Sequence, residues 1–409
     1  MRSSNRRTPN PGALPDLVCL SHLRWAFVFQ RPQHLMSRFA RERRVFFVEE
    51  PAWGPGPTRL ELTQSPEGVW VAVPHIHVEG ATQVTPDPPP GTHVEPDFLV
   101  EVQRKLLEAM LVDQDVSDYV LWYYTPMSLV FSHQLRPRAV VYDCMDELSA
   151  FSGAPPVLVQ RERELMRRAD VMFTGGHHLY EAKREHHANV HPFPSSVDVP
   201  HFAQARLRPA DPPDQAALPH PRIGFCGVID ERMDLALVEG VARARPDWQM
   251  VMVGPVVKIS PDSLPRLPNI HYLGGKSYKE LPAYLAHWDV AMTPFARTPA
   301  TRFLSPTKTP EYLAAGRPVV STSIRDVVRP YGEQGLVRIA DTPEDFVRAV
   351  EESLAQSTGE WLPRVDAFLS HLSWDHTWNG MKRLIDEAVA AHEEAGRTQE
   401  AGLTEPAGL

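Results

Sequence analysis

Short apolar runs alternate with longer amphipathic stretches along almost the whole chain. In the first half DLVCLSHL (16–23), RRVFFVEEP (43–51), GVWVAVPH (68–75), YVLWYYT (119–125), AVVYDCMDE (139–147), DVMFTGG (170–176) and VHPFP (190–194) predict strands, being short, apolar and rich in β-branched and aromatic residues. Between them RPQHLMSRFARE (31–42), DFLVEVQRKLLEAMLVD (97–113), PVLVQRERELMRRA (156–169) and HHLYEAKREHH (177–187) predict helices, with Pro32 suited to a first turn. After RLRPADPPDQAALPHP (206–221) a second series begins. Its strands are RIGFCGV (222–228), WQMVMVGP (248–255), NIHYLGG (269–275), DVAMTPF (289–295) and LVRIA (336–340). Its helices are MDLALVEGVARARP (233–246), YKELPAYLAHW (278–288), PEDFVRAVEESLAQ (343–356) and TWNGMKRLIDEAVAAHEEA (377–395).

Strands alternating with helices predict parallel sheets, and two series around a proline-rich linker predict an α/β chain of two doubly wound domains. The expected boundaries are a leader over 1–15, a first domain over 16–205, the linker, a second domain over 222–376, a last helix over 377–395 and a frayed tail over 396–409. Ligands of such domains bind outside the carboxyl ends of the strands, so the cleft between the two is the expected site.

Composition narrows the class. A net charge of −9 over 409 residues argues against a dedicated nucleic-acid binder. Cys19, Cys144 and Cys226 are far apart, follow no metal spacing and sit in apolar runs, which predicts buried, reduced thiols. No segment has the apolar length of a membrane span and no signal-peptide core follows the N-terminus, so a cytoplasmic protein is expected. Five arginines among residues 31–44, with Glu42 the sole acid, suit either a solvated helix face or peripheral contact with the anionic inner surface of the cytoplasmic membrane.

Two strand-end loops carry candidate chemistry in the second half. In GFCGVIDERMD (224–234), Gly224 and Gly227 allow close backbone approach and Arg232 is a bidentate phosphate donor; a solvated N-cap loop is the alternative. In SPTKTPEYLAAGRPVVST (305–322), Glu311 in a first helical turn is favourable with the helix dipole, whereas Lys308 is unfavourable there unless an anion is bound. An anion-binding lysine beside a diol-binding carboxylate describes a nucleoside-diphosphate pocket; the alternative is an exposed Lys–Glu pair. In the first half Gln30, Arg31 and His34 open a helix at a strand end, and Asp143 and Asp146 end another strand. They could hold acceptor or phosphate and steady a cationic transition state, or serve as caps and loop acids. The pairs His177-His178 and His186-His187 share one predicted helix and read as solvated, not as a metal site.

These residues resemble the retaining glycosyltransferases of the GT-B fold, in the family-4-like group, and more closely its bacterial polysaccharide and teichuronic-acid type. The resemblance runs in order through WAFVFQRPQHL (25–35), VVYDCMDEL (140–148), FPSSVD (193–198), GFCGVIDERMD and the segment 305–322, with SWDHTW (373–378) before the last helix. It implies two facing Rossmann-like domains with the last helix crossing back to the first. It implies transfer of a hexosyl-type group, with retention and without metal or cofactor, from a nucleoside-diphosphate sugar to a saccharide or lipid-linked acceptor. Glu311 then matches the ribose ligand, and Lys308 and Arg232 the diphosphate contacts, with Gly227, Ser305 and Thr307 completing the donor site. Asp143, Asp146 and His34 become catalytic candidates, and Gln30, Arg31 and Ser195 line the acceptor side. The chain departs from the pattern at Phe303, where many relatives carry a glutamate, and at Ser195-Ser196, where Asn-Gly is usual. A sugar-nucleotide epimerase and a non-catalytic GT-B subunit are the alternatives.

Overall fold

The apolar runs of the first half assemble into one sheet in the computed structural model, which describes residues 14–403 except 91, 93 and 94. Its strands are β1 (Asp16–Leu20), β2 (Val45–Val48), β3 (Ala52–Gly54), β4 (Arg59–Gln64), β5 (Trp70–His77), β6 (Tyr119–Tyr123), β7 (Ala139–Cys144), β8 (Val171–Thr174) and β9 (Val190–Pro192). They lie in the order β3-β5-β2-β1-β6-β7-β8-β9, with β4 added on β5. All pairs are parallel except β4 with β5. Helices cover both faces of a parallel sheet, so β2, β6 and β7 are buried at every position and read as unbroken apolar runs. RLELTQ of β4 is partly solvated and alternates, which is why its sequence carries no comparable signal.

The second sheet contains β10 (Arg222–Cys226), β11 (Gln249–Val253), β12 (Ile270–Gly274), β13 (Val290–Thr293), β14 (Val319–Ser321) and β15 (Arg338–Ile339), in the order β12-β11-β10-β13-β14-β15 and all parallel. The strand order reverses between β1 and β6 in one sheet and between β10 and β13 in the other. Those two switch points mark where ligands of doubly wound sheets bind.

The last helix runs from Trp374 to Leu403. Trp374, Trp378, Met381, Ile385 and Ala388 bury against β1, β2, β6, β7 and β8, so the chain ends by returning to the first sheet. Residues 396–403, expected as part of a frayed tail, are helical; 404–409 and the leader residues 1–13 lie outside the described residues. Thr358–Leu369 is a helix that the sequence pattern did not announce, since Pro363 interrupts it. The expected helix over 177–187 stops at Lys183, so the two histidine pairs do not share a helix. His187 is no solvated residue either: its Nε2 meets the Ala169 carbonyl at 2.9 Å and its Nδ1 accepts from Asn189 N–H at 3.1 Å.

The arginine run 31–44 is committed within the protein. Arg38 and Arg41 reach Asp375 at 2.8 and 3.4 Å, Arg43 reaches Asp386 at 3.7 Å, and Arg44 pairs with Asp16. Three of these partners or pairs tie the first domain to the last helix, so the run is neither a free basic patch nor a merely solvated face. Among the described residues no helix is long and apolar enough to cross a membrane.

Candidate active site

The second sheet presents a tight backbone corner at its switch point. After β10 the chain turns at Gly227 with φ 154°, where a Cβ would stand 3.1 Å from Phe225 Cζ and 3.5 Å from Lys308 Cε. After β11, Gly254 has φ 150°, and a Cβ there would fall 1.7 Å from the Gly227 carbonyl oxygen. Two glycines thus let the strand ends touch backbone to backbone. Tyr312 Oη accepts from Cys226 N–H at 2.7 Å and donates to the Cys226 carbonyl at 3.1 Å. That clamp fixes the helix Lys308–Ala314 against β10 and brings Lys308 beside Gly227.

Lys308 Nζ donates to Glu311 Oε2 at 2.9 Å, one helical turn away. The expected alternative was an exposed pair, but Glu311 is only 5% exposed. Burial alone would lower the Lys308 pKa, and the Glu311 charge raises it above its ordinary value. Burial raises Glu311, and Lys308 offsets part of that rise. An ammonium has three donors and Glu311 takes one, so Lys308 remains a cation with hydrogen bonds to give. Glu311 stands behind Lys308, with Oε1 not used by it.

Arg232 is oriented by a residue that the sequence did not single out. Its Nε lies 3.0 Å from Asp230 Oδ1 and its Nη2 2.7 Å from Asp230 Oδ2. Its bidentate fork is therefore taken by a carboxylate, and only the Nη1 edge is left for an anion, a correction to the expected bidentate grip on phosphate. Across the cleft, burial raises the Asp146 pKa from its ordinary value, Arg232 and Arg31 oppose the rise, and Asp230 adds to it.

The other first-domain candidates are arranged differently. Asp143 is fully buried and takes Arg31 on both oxygens, Nε at 2.9 Å and Nη2 at 2.8 Å. The third Arg31 edge donates to the Phe193 carbonyl at 2.7 Å. Asp143 is thereby corrected from a cleft carboxylate to the buried anchor of Arg31. His34 is corrected as well. It is 4% exposed, stacks on Trp374 at 4.5 Å with an 11° interplanar angle, and meets Phe29 and Tyr278 at 4.7 and 5.6 Å. Burial, with Arg38, Lys308 and His201 nearby, holds its pKa well below the ordinary histidine value. The ring is a neutral plate joining both domains and the last helix. Gln30 precedes the helix Arg31–Phe39, and its N–H donates to Gln33 Oε1 at 3.1 Å.

These elements enclose one cavity of about 130 Å³. Gln30, Arg31, Asp146, Ser195, Gly227, Arg232, Ser305, Thr307 and Lys308 all line it, whereas His34, Asp143 and Glu311 do not. Val28, Gly227, Val228 and Lys308 also line a wider cleft of about 850 Å³. That cleft runs between Trp25–Phe29 of the first domain and Gly254, Gly275–Tyr278 of the second. Tyr278, missed by sequence reasoning, stacks on His201 at 4.1 Å and meets Phe29 at 4.9 Å. Phe151, also missed, lies under Arg232 and Lys258 of the other domain at 5.8 and 5.9 Å. Phe303 packs on His178 at 4.8 Å and against the first-domain core.

Residues 220–356 match the model of the family Glycosyl transferases group 1. The match includes Gly227, Arg232, Ser305, Thr307, Lys308 and Glu311. The chain is 29% identical over 300 residues to TuaH of Bacillus subtilis (strain 168), described as a teichuronic acid biosynthesis glycosyltransferase, covering 67% of this chain and 72% of that one. Its fold is GT-B, like that of sucrose-phosphate synthase from Thermosynechococcus elongatus, with TM-score 0.66, 15% identity and coverage of 92% and 100% of the two chains. The E. coli trehalose-6-phosphate structure bound with UDP-2-fluoro glucose aligns with TM-score 0.64 and 13% identity, over 91% of this chain and 99% of that one.

Proposed function

We propose that this chain is a glycosyltransferase that moves a hexosyl-type group from a nucleoside-diphosphate sugar to a saccharide or lipid-linked acceptor, with retention, in cell-surface polysaccharide synthesis. One observation carries the reading. Lys308, the free edge of Arg232 and the Gly227 turn meet in one cavity at the β10/β13 switch point, facing Asp146 of the other domain. Lys308 and Arg232 neutralise the diphosphate as the anomeric carbon–oxygen bond breaks. Neither needs a metal ion to do so. The acceptor hydroxyl forms the new bond on the same face, and its proton passes to the departing phosphate oxygen. Asp146 steadies the cationic sugar, and closure of the cleft keeps water from competing. Glu311 keeps Lys308 charged from behind.

The relatives support this direction, since one is described by teichuronic acid biosynthesis and another is bound with UDP-2-fluoro glucose. The epimerase reading needs an acid–base pair over the sugar, and Asp143 is sealed beneath Arg31. The non-catalytic reading leaves the buried cations of the cavity without a use. Membrane contact through the 31–44 arginines would rest on Arg41 and Arg44 alone, because Arg31 and Arg43 are buried, and Arg38 nearly so, in their pairs. The test is a product assay with UDP-, GDP-, dTDP- and ADP-hexoses and an oligosaccharide acceptor, with chelator present, read by NMR for the anomeric configuration. Transfer with retention is expected; epimerised donor without transfer would establish the rival.

A further inference from the structure

One loop of the second domain lines two cavities. Leu304–Lys308 faces the proposed donor site. Arg297–Arg302, just before it, borders a separate concavity of about 430 Å³, closed by His178 of the first domain and by Ser323 and Arg325. Three arginines and a histidine line it, and none of the lining residues is a carboxylate. Arg302 is exposed, its guanidinium lies 5.3 Å from the Phe303 ring centre, and it has no ion-pair partner among the described residues. Arg297 reaches Asp341 at 3.3 Å and Arg325 reaches Glu181 at 2.6 Å. Both pairs are partly solvated and hold weakly, so a stronger anion can draw the guanidinium groups inward. His178 Nδ1 lies 2.8 Å from the Arg302 carbonyl, which can only accept. Nδ1 therefore carries the hydrogen, and Nε2 is left as an acceptor for a hydroxyl.

Guanidinium forks match the oxygens of phosphate, and three of them favour a dianion over a single charge. The volume exceeds what a bare phosphate fills and falls in the range of small-molecule pockets. We propose that this concavity binds a phosphorylated saccharide, with its phosphate on Arg297, Arg302 and Arg325 and a sugar hydroxyl on His178. The site is distinct from the donor cavity and stands whether or not that assignment holds.

The experiment is calorimetric titration at fixed ionic strength with glucose 6-phosphate, inorganic phosphate and glucose. The proteins are wild type, the double variant Arg297→Gln/Arg302→Gln, Arg302→Lys and Lys308→Met. Glucose 6-phosphate saturates wild type and Lys308→Met with the same affinity, more tightly than inorganic phosphate, and glucose gives no heat. The double variant binds at least about tenfold more weakly, as the loss of charge-assisted hydrogen bonds requires. Arg302→Lys, which keeps the charge and loses the fork, binds several-fold more weakly and covers the case in which the double variant misfolds. Absence of saturable binding, equal affinity in both arginine variants, equal affinity for bare phosphate, or loss confined to Lys308→Met would each overturn the proposal.

Discussion

Two buried cation–carboxylate pairs face each other across the cleft and do different work. Arg31 and Asp143 come from positions 112 apart and close on each other, and Arg31 gives its last edge to a carbonyl. Lys308 and Glu311 are one helical turn apart, and their single bond leaves two ammonium donors beside open space. The first pair is saturated and holds the wall of the cavity. The second is under-used and can hold a ligand. A buried ion pair is thus diagnostic of binding only when its cation keeps donors toward solvent-sized room.

The largest effect that would break this contrast is on stability. Arg31→Met leaves Asp143 buried and uncompensated, which costs about 3–5 kcal/mol. Arg31→Met with Asp143→Leu restores most of that, since a matched apolar pair removes the orphaned charge. Urea unfolding reads both; a loss under about 1 kcal/mol in the single variant would mean that the pair is not the anchor described.

Next comes affinity. Lys308→Met removes charge-assisted hydrogen bonds to a diphosphate worth about 1.5–3 kcal/mol, so nucleotide binding weakens about 10- to 100-fold. Unchanged affinity in a competition assay would return Lys308 to the status of a structural pair.

The third effect is on pH dependence. His34 has a folded pKa held well below its ordinary value, and His22 is lowered to about 4 by burial with Lys258 nearby. A depressed folded pKa means that the unfolded chain takes up the proton first. The stabilisation is full above the ordinary histidine value of about 6.5 and is lost as pH falls below it, at up to about 1.4 kcal/mol per pH unit for each group. His34→Phe keeps the stack on Trp374 and should flatten the slope between pH 6.5 and 5 by up to one proton. A slope unchanged by that substitution would place the titration elsewhere.

The smallest effect concerns Phe303. It is absent from the cavity wall and packs on His178 and the first-domain core. Phe303→Glu, which restores the residue usual in the group, should cost about 1 kcal/mol and leave turnover no higher, since the carboxylate would meet an apolar contact rather than the donor. A gain in turnover would show that the loop 296–307 closes differently when donor is bound.

The two halves also differ in how far their sequence could be read. Lys308 and Glu311 share one helical turn and Gly227 ends its own strand, so each signal is local, and the structure brings the two segments together. Arg31, Asp143 and His34 looked like cleft chemistry because strand ends were visible but partners were not. Asp143 meets a residue 112 positions away, and His34 meets Trp374 and Tyr278 from other elements. Asp230, Phe151 and Tyr278 had no legible signal, for their roles rest on tertiary contact alone. The parallel strands were readable because both faces are buried, and β4 was not because it is polar and partly solvated.

On the proposed function the second domain holds a nucleoside diphosphate through Lys308, while the first-domain pair is purely structural. Calorimetric titration of UDP, GDP, dTDP and ADP into wild type, Lys308→Met and the double variant Arg31→Met/Asp143→Leu tests it directly. One nucleotide is expected to bind saturably to wild type, about tenfold or more weakly to Lys308→Met, and with near wild-type affinity to the double variant. No binding by wild type, or a loss in the double variant with Lys308→Met unaffected, would contradict it.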